Sequence, residues 1–204
     1  AVVLALEEDP HEPPARPFHV EALPEEAARE AVRLARRLAL PLEGYTADGG
    51  FFVEGDSPLL EAHQRLLGVE AEGADLLRLS SPLVRLQVLA EGEAPVERLL
   101  EALPPGLQAH VAESPKMPGV RFVSLTKEGV SKLSAARLVA EAYGLPLSEC
   151  AMVGDGENDL ELLRAVGVGI AMGNAPPSVK RAAQRVVAPV EACGLAEALR
   201  LLRG

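Results

Sequence analysis

From residue 131 onward, short apolar runs and helix-like segments take turns. "SKLSAARLVAEAYGL" predicts a helix, "CAMVG" a strand, "NDLELLRAVG" a helix and "VGIAM" a strand. "PPSVKRAAQ", "RVVA" and "GLAEALRLL" then predict helix, strand and helix. The strand-like runs lack polar alternation, so each needs cover on both faces. Such an alternation restricts the chain to a parallel sheet layered with helices.

The region before this has a different rhythm. "AVVLALE" reads as a strand and "DPHEPPARP" as a Pro-rich loop. "PEEAAREAVRLARRLAL" reads as a helix, with acids in its first turn, arginines toward its end and a stripe at Ala28, Val32, Ala35 and Leu38. "LEGYTADGGFFVEG" predicts a hairpin turning at Asp48-Gly49, and "DSPLLEAHQRLLG" a short helix with an Asp/Ser cap and an early proline. "LVRLQVLA", "LQAHVAES" and "VRFVSLT" predict strands, with the helix "APVERLLEALPPG" among them. This is an α+β module distinct from the region after residue 116.

Hydrophobic residues make up 48% of the 204, enough for a sizeable core, but aromatics are only 3%. Leu, Val and Ala must therefore fill that core. The net charge of −10 argues against a broad grip on nucleic acid, though not against a small anion in one pocket. No apolar run has the length of a membrane span. Cys150 and Cys193 stand alone, and no export signal is visible, so reduced thiols and a cytoplasmic location are expected. His11, His19, His63 and His110 show no metal spacing; His63 reads as helix surface.

The chemistry concentrates in "AMVGDGENDLELL". Asp155 follows an apolar strand and precedes a helix, which places it at the carboxyl edge of the sheet, where open α/β folds bind ligands. Gly154 and Gly156 are expected to permit a tight turn. A carboxylate on a strand tip suits Mg²⁺, and a helix N-terminus beside it suits phosphate. The alternative is a helix cap with no metal. Asn158 and Asn174, the only asparagines, both lie nearby. Gly173 and Asn174 could line the same crevice, and a turn after a strand explains them equally well. Tyr45, Phe51 and Phe52 are read first as hairpin packing, with contact to a substrate as the other option.

"VGDGENDLELLRAVGVGIAMGNAPPSVKRAAQRVV" resembles the last motif of the haloacid dehalogenase superfamily, in its Cof-type phosphatases. "KEGVSKLSAARLVAEAYGLPLSEC" is similar to the preceding motif, although Leu133 replaces the usual Gly after the key Lys. P-type ATPases share a similar turn but need membrane helices. The resemblance implies an α/β fold: an incomplete Rossmannoid parallel-sheet core with an α+β cap. Residues 1–20 would be core and linker, 21–116 the cap and 117–204 the C-terminal part of the core. It implies a Mg²⁺-dependent phosphatase acting on a small phosphorylated metabolite, with no nucleic-acid or membrane partner. Asp155 would coordinate Mg²⁺, Lys132 would hold the phosphate, Asn158 would hydrogen-bond it, and Asp159 would support the loop or orient Lys132. Lys127 is the rival cation and reads as solvated surface.

The family's nucleophile is an Asp with a second Asp two residues later, after its first strand. The six Asp here are Asp9, Asp48, Asp56, Asp75, Asp155 and Asp159, and no two are separated by one residue. The nucleophile is therefore expected in a segment outside these 204 residues, and the chain alone is expected to be inactive. A non-catalytic binding or assembly module is the alternative.

Overall fold

Strand pairing separates two kinds of sheet. The computed structural model describes residues 2–4 and 17–203, and the chain divides into a unit ending at Gly129 and another from Val130. In the first, β1 (Val2–Leu4) pairs antiparallel with β2 (Pro17–Val20). The rest of "AVVLALE" and the Pro-rich loop up to residue 16 lie outside the described residues.

The six-stranded sheet of this unit contains β3 (Leu42–Thr46), β4 (Phe51–Glu54), β5 (Glu72–Gly73), β6 (Leu83–Glu91), β7 (Leu107–Ser114) and β8 (Met117–Lys127), in the order β5-β4-β3-β6-β8-β7. All neighbours are antiparallel except β4 and β5. Helix α1 (Glu25–Arg37) buries Ala27, Ala28, Ala31, Val32, Leu34 and Ala35. These residues pack with Leu42, Leu86, Val88, Val123 and Leu125, and α3 (Ala94–Glu101) adds Val96 and Leu99 to the same core. The alternation along β6 and β8 sends Leu89 and Phe122 to a second cluster, with Leu60 of α2 (Pro58–Leu67). Helix α2 starts as its sequence suggests: Ser57 accepts from the Leu59 N–H, and Pro58 occupies the first turn, where a missing N–H costs nothing.

Two expectations change here. The boundary expected after residue 116 gives way to one between Gly129 and Val130, because β8 lies between β6 and β7 and its pairing binds residues 117–127 to the first unit. His63 is not helix surface. It is buried, with Nδ1 2.6 Å from Glu43 Oε1, and Glu43 is fully buried. Gln87 Nε2 and the Tyr45 hydroxyl donate to the other Glu43 oxygen at 2.8 and 2.9 Å. A polar group this deep is tolerable only because each carboxylate oxygen is satisfied.

In the second unit, β9 (Ala151–Gly154), β10 (Val168–Ala171) and β11 (Arg185–Val186) form a parallel sheet in the order β11-β10-β9. Ala171 packs on one face with Leu163 of α5 (Leu160–Ala165) and Val179 of α6 (Pro177–Ala182). Ile170 packs on the other with Ala198 of α7 (Gly194–Arg203). Helix α4 (Lys132–Ala142) precedes β9. Central β10, covered on both faces, needs the unbroken apolar run seen in its sequence, whereas both residues of β11 are exposed.

Glu43→Ala is expected to lower unfolding free energy by about 3 kcal/mol, because it strands His63, Gln87 and the Tyr45 hydroxyl at once. Urea unfolding followed by circular dichroism measures this; a loss below about 0.5 kcal/mol would contradict the account.

Candidate phosphate and metal site

The carboxyl end of β9 leads through Asp155 and Gly156 into a single 3-10 turn, Glu157–Asp159, and then α5. Asp159 is the anchor of this turn. Its side chain is 2% exposed, and Oδ2 accepts from the N–H groups of both Asp155 and Gly156 at 3.0 Å. Oδ1 accepts from Lys132 Nζ at 2.5 Å.

Neither glycine of the turn has a positive φ. Gly154 is needed for a different reason: a Cβ there would lie 2.7 Å from Cβ and Oδ2 of Asp159, whereas one on Gly156 would closely meet only the tip of the exposed Asn158 side chain, which can move aside. The carboxylate can lie against Gly154 only because nothing projects from it. The helix-end contribution to phosphate binding is also smaller than expected, since Asp159 already occupies two of the amides and α5 is only six residues long.

Lys132 is the first residue of α4. Ser131 and Ser134 fix that helix start: Ser131 Oγ accepts from the Ser134 N–H at 3.1 Å, and Ser134 Oγ accepts from the Ser131 N–H at 2.8 Å. An ammonium at a helix start opposes the dipole, and the Asp159 carboxylate offsets that. About half of the Lys132 side chain stays exposed, so it remains open to a second anion. Lys127, the rival cation, is tied to Glu21 at 2.5 Å within the first unit.

Asp155 and Asn158 are both exposed. Asn174, after β10, donates from Nδ2 to Asp155 Oδ2 at a long 3.5 Å, while its Oδ1 accepts from the Val190 N–H at 3.1 Å. It therefore reaches the turn, which is one of the two readings its sequence left equal. Ser178 and Glu157 form another link that the sequence did not reveal, with Ser178 Oγ donating to Glu157 Oε1 at 2.5 Å. The second unit thus brings together Lys132, Asp155, Asp159 and Asn174 through direct contacts, with Asn158 beside them in the turn.

Among the described residues there is no group of three His, Cys, Asp or Glu able to hold a metal by itself. Mg²⁺ does not require one, since it keeps several waters and takes one or two carboxylates plus a substrate phosphate. Asp155, exposed and held only by a long contact, fits one such ligand.

Comparison with known proteins shows the family. The family of haloacid dehalogenase-like hydrolases matches residues 16–199. The chain belongs to that family. Among curated haloacid dehalogenase relatives, an HMP-PP phosphatase from Cronobacter sakazakii is 31% identical over 137 residues, 65% of this chain and 48% of that protein. A phosphoglycolate phosphatase from Methanothermobacter thermautotrophicus is 34% identical over 82 residues, 40% of this chain and 37% of that protein. The match thus spans less than half of either relative. A phosphatase of the superfamily from Bacteroides thetaiotaomicron superposes with a TM-score of 0.75 at 27% identity, covering 90% of this chain and 66% of the other. The α/β fold with a parallel-sheet core is that of the haloacid dehalogenase hydrolases, of the Cof type. No helix among the described residues is long and apolar enough to cross a membrane.

Burial pushes the Asp159 carboxyl upward, but the Lys132 ammonium and the two backbone amides outweigh it and hold the group below its ordinary value. A depressed value stabilises the fold fully above the unfolded value, and that stability is lost as pH falls through the folded one. Asp159→Ala is expected to cost about 2 kcal/mol, limited by solvent around Lys132. Urea titrations at several pH values should show this gap constant from pH 7 to about 4 and shrinking below that. A gap that widens on acidification would refute the assignment.

Proposed function

We propose that this chain is the larger part of a Mg²⁺-dependent phosphatase that hydrolyses a small phosphorylated metabolite through an aspartyl-phosphate. The observation carrying this reading is the Lys132–Asp159 contact at 2.5 Å beside the exposed Asp155. A half-exposed ammonium with one side fixed to a buried carboxylate is oriented in advance, and its remaining donors are available to a phosphate.

Each residue has a distinct task. Lys132 would bind phosphate oxygens and balance the charge on the phosphoenzyme. Asp159 would hold Lys132 and the two amides in place without touching the substrate. Asn158 would donate to the phosphate or its surroundings, and Asn174 would steady Asp155. Asp155 would provide one oxygen ligand to Mg²⁺, which when bound would offset charge on the transferring phosphoryl group. The chain has no Asp-x-Asp pair, so the nucleophile and the general acid would come from a segment preceding residue 1. The sheet supports that placement: among the described residues β9 is an edge strand in the order β11-β10-β9, with a side where a further parallel strand could pair. The relatives' substrates suggest phosphoglycolate and HMP-PP as first compounds to try.

The test is to express the protein with the upstream coding sequence and measure p-nitrophenyl phosphate hydrolysis. Activity should require Mg²⁺, and Lys132→Ala or Asp155→Ala should each reduce it by about 10²-fold or more. These 204 residues alone should show none. An active enzyme indifferent to both substitutions would overturn the proposal, and a reading frame that starts at residue 1 would favour a non-catalytic module.

A further inference from the structure

One face of the six-stranded sheet changes character along its strands. Leu89, Phe122 and Ala112 form an apolar cross-strand row, with Leu89 and Phe122 packed with Leu60 of α2. The next row is polar: Val53, Glu43, Gln87, Ser124 and His110 are successive pairing partners across five strands. Beyond it, Phe51 pairs with Tyr45 and Tyr45 with Arg85, while Thr126 pairs with Gln108 on the far strands. None of these last five belongs to either apolar cluster, and all are partly exposed.

The last row is built with care. The Tyr45 and Phe51 rings stack at 4.9 Å with 13° between their planes. The Tyr45 hydroxyl is tied to buried Glu43, which is itself held by His63 and Gln87. The ring is thus fixed from beneath by a buried hydrogen-bond cluster. The Arg85 guanidinium lies over it, with its carbon 3.9 Å from the ring centre. Stacking uses the face of a guanidinium, so its in-plane donors are not all taken up by the ring.

Arg85 has no carboxylate partner, unlike Arg36 and Arg78, which pair with Asp75, and Arg121, which pairs with Glu93. Arg29 and Arg98 also lack one, but each is hydrogen-bonded to a backbone carbonyl, of Leu77 and Ala94. Among the described residues Arg85 is in no ion pair, and its Nε is closed off from solvent without a hydrogen-bond partner. The nearest acid along the sheet, Glu43, has both oxygens occupied. A partly buried, pre-oriented cation lacking a counter-ion is a receptor for one. The hydroxyls of Ser124 and Thr126, on the adjoining strand of the same face, add neutral donors.

We infer that Arg85, stacked on Tyr45, binds the carboxylate or phosphate of a small ligand on this sheet face. The site lies wholly within the first unit. It stands independently of the phosphatase reading, since neither Lys132 nor Asp155 takes part.

The experiment is to titrate the isotope-labelled 204-residue chain with inorganic phosphate, and separately with glycolate, at constant ionic strength. Backbone amide shifts are followed by NMR, and sodium chloride serves as the blank. Saturable shifts are expected at Tyr45, Arg85, Ser124 and Thr126 with at least one of the two, and the stronger binder identifies the anion. Arg85→Gln should weaken this binding about tenfold or more, and Lys132→Ala should leave it unchanged. Arg85→Lys, which keeps the charge but loses the planar fork, should also bind more weakly, and covers the case in which Arg85→Gln fails to fold. Shifts that track sodium chloride alone, or affinity unaffected by both Arg85 substitutions, would overturn the inference. Phosphate shifts confined to residues 154–159 would likewise refute it while supporting the phosphatase site.

Discussion

The candidate site depends on one carboxylate. Asp159 is buried, yet it accepts two backbone amides from the turn after β9 and an ammonium from the start of α4. Without it, the turn would leave amides unpaired and Lys132 would be one more solvated side chain on a helix start. The exposed groups, Asp155 and Asn158, take their positions from a turn that a concealed residue holds closed. The proposed chemistry thus falls to solvent-facing residues, and the residue that organises them is buried.

Local patterns were the legible part of the fold. The apolar runs of β9 and β10 announced a covered parallel sheet because no polar alternation interrupts them, and α1 and α2 carried their caps and stripes in plain view. What the sequence hid was long-range. His63 looks like a surface residue because its partner, Glu43, is 20 residues away on a strand. The end of the first unit was misplaced because the pairing of β8 with β6 depends on register, which periodicity does not specify.

The site was partly readable in the same way. Asp155, Asn158, Asp159 and Lys132 stand in recognisable motifs, but their contacts do not. Asn174 and Ser178 reach the turn from the segments after β10; the sequence offered Asn174 only as one of two equal readings, and nothing near Ser178 marks it for that role. Gly154 shows a subtler gap. Gly usually signals an unusual backbone angle, whereas here it signals proximity, and only coordinates distinguish the two.

That proximity makes Gly154 a steric fulcrum. A single methyl group there would meet the Asp159 carboxylate at 2.7 Å and act as a wedge between the strand and the side chain that organises the turn. Charge, ligand set and hydrophobic core would all be unaltered by such a change. The turn is therefore vulnerable at a position that carries no chemistry of its own. Variation across this segment would be governed by free volume more than by polarity.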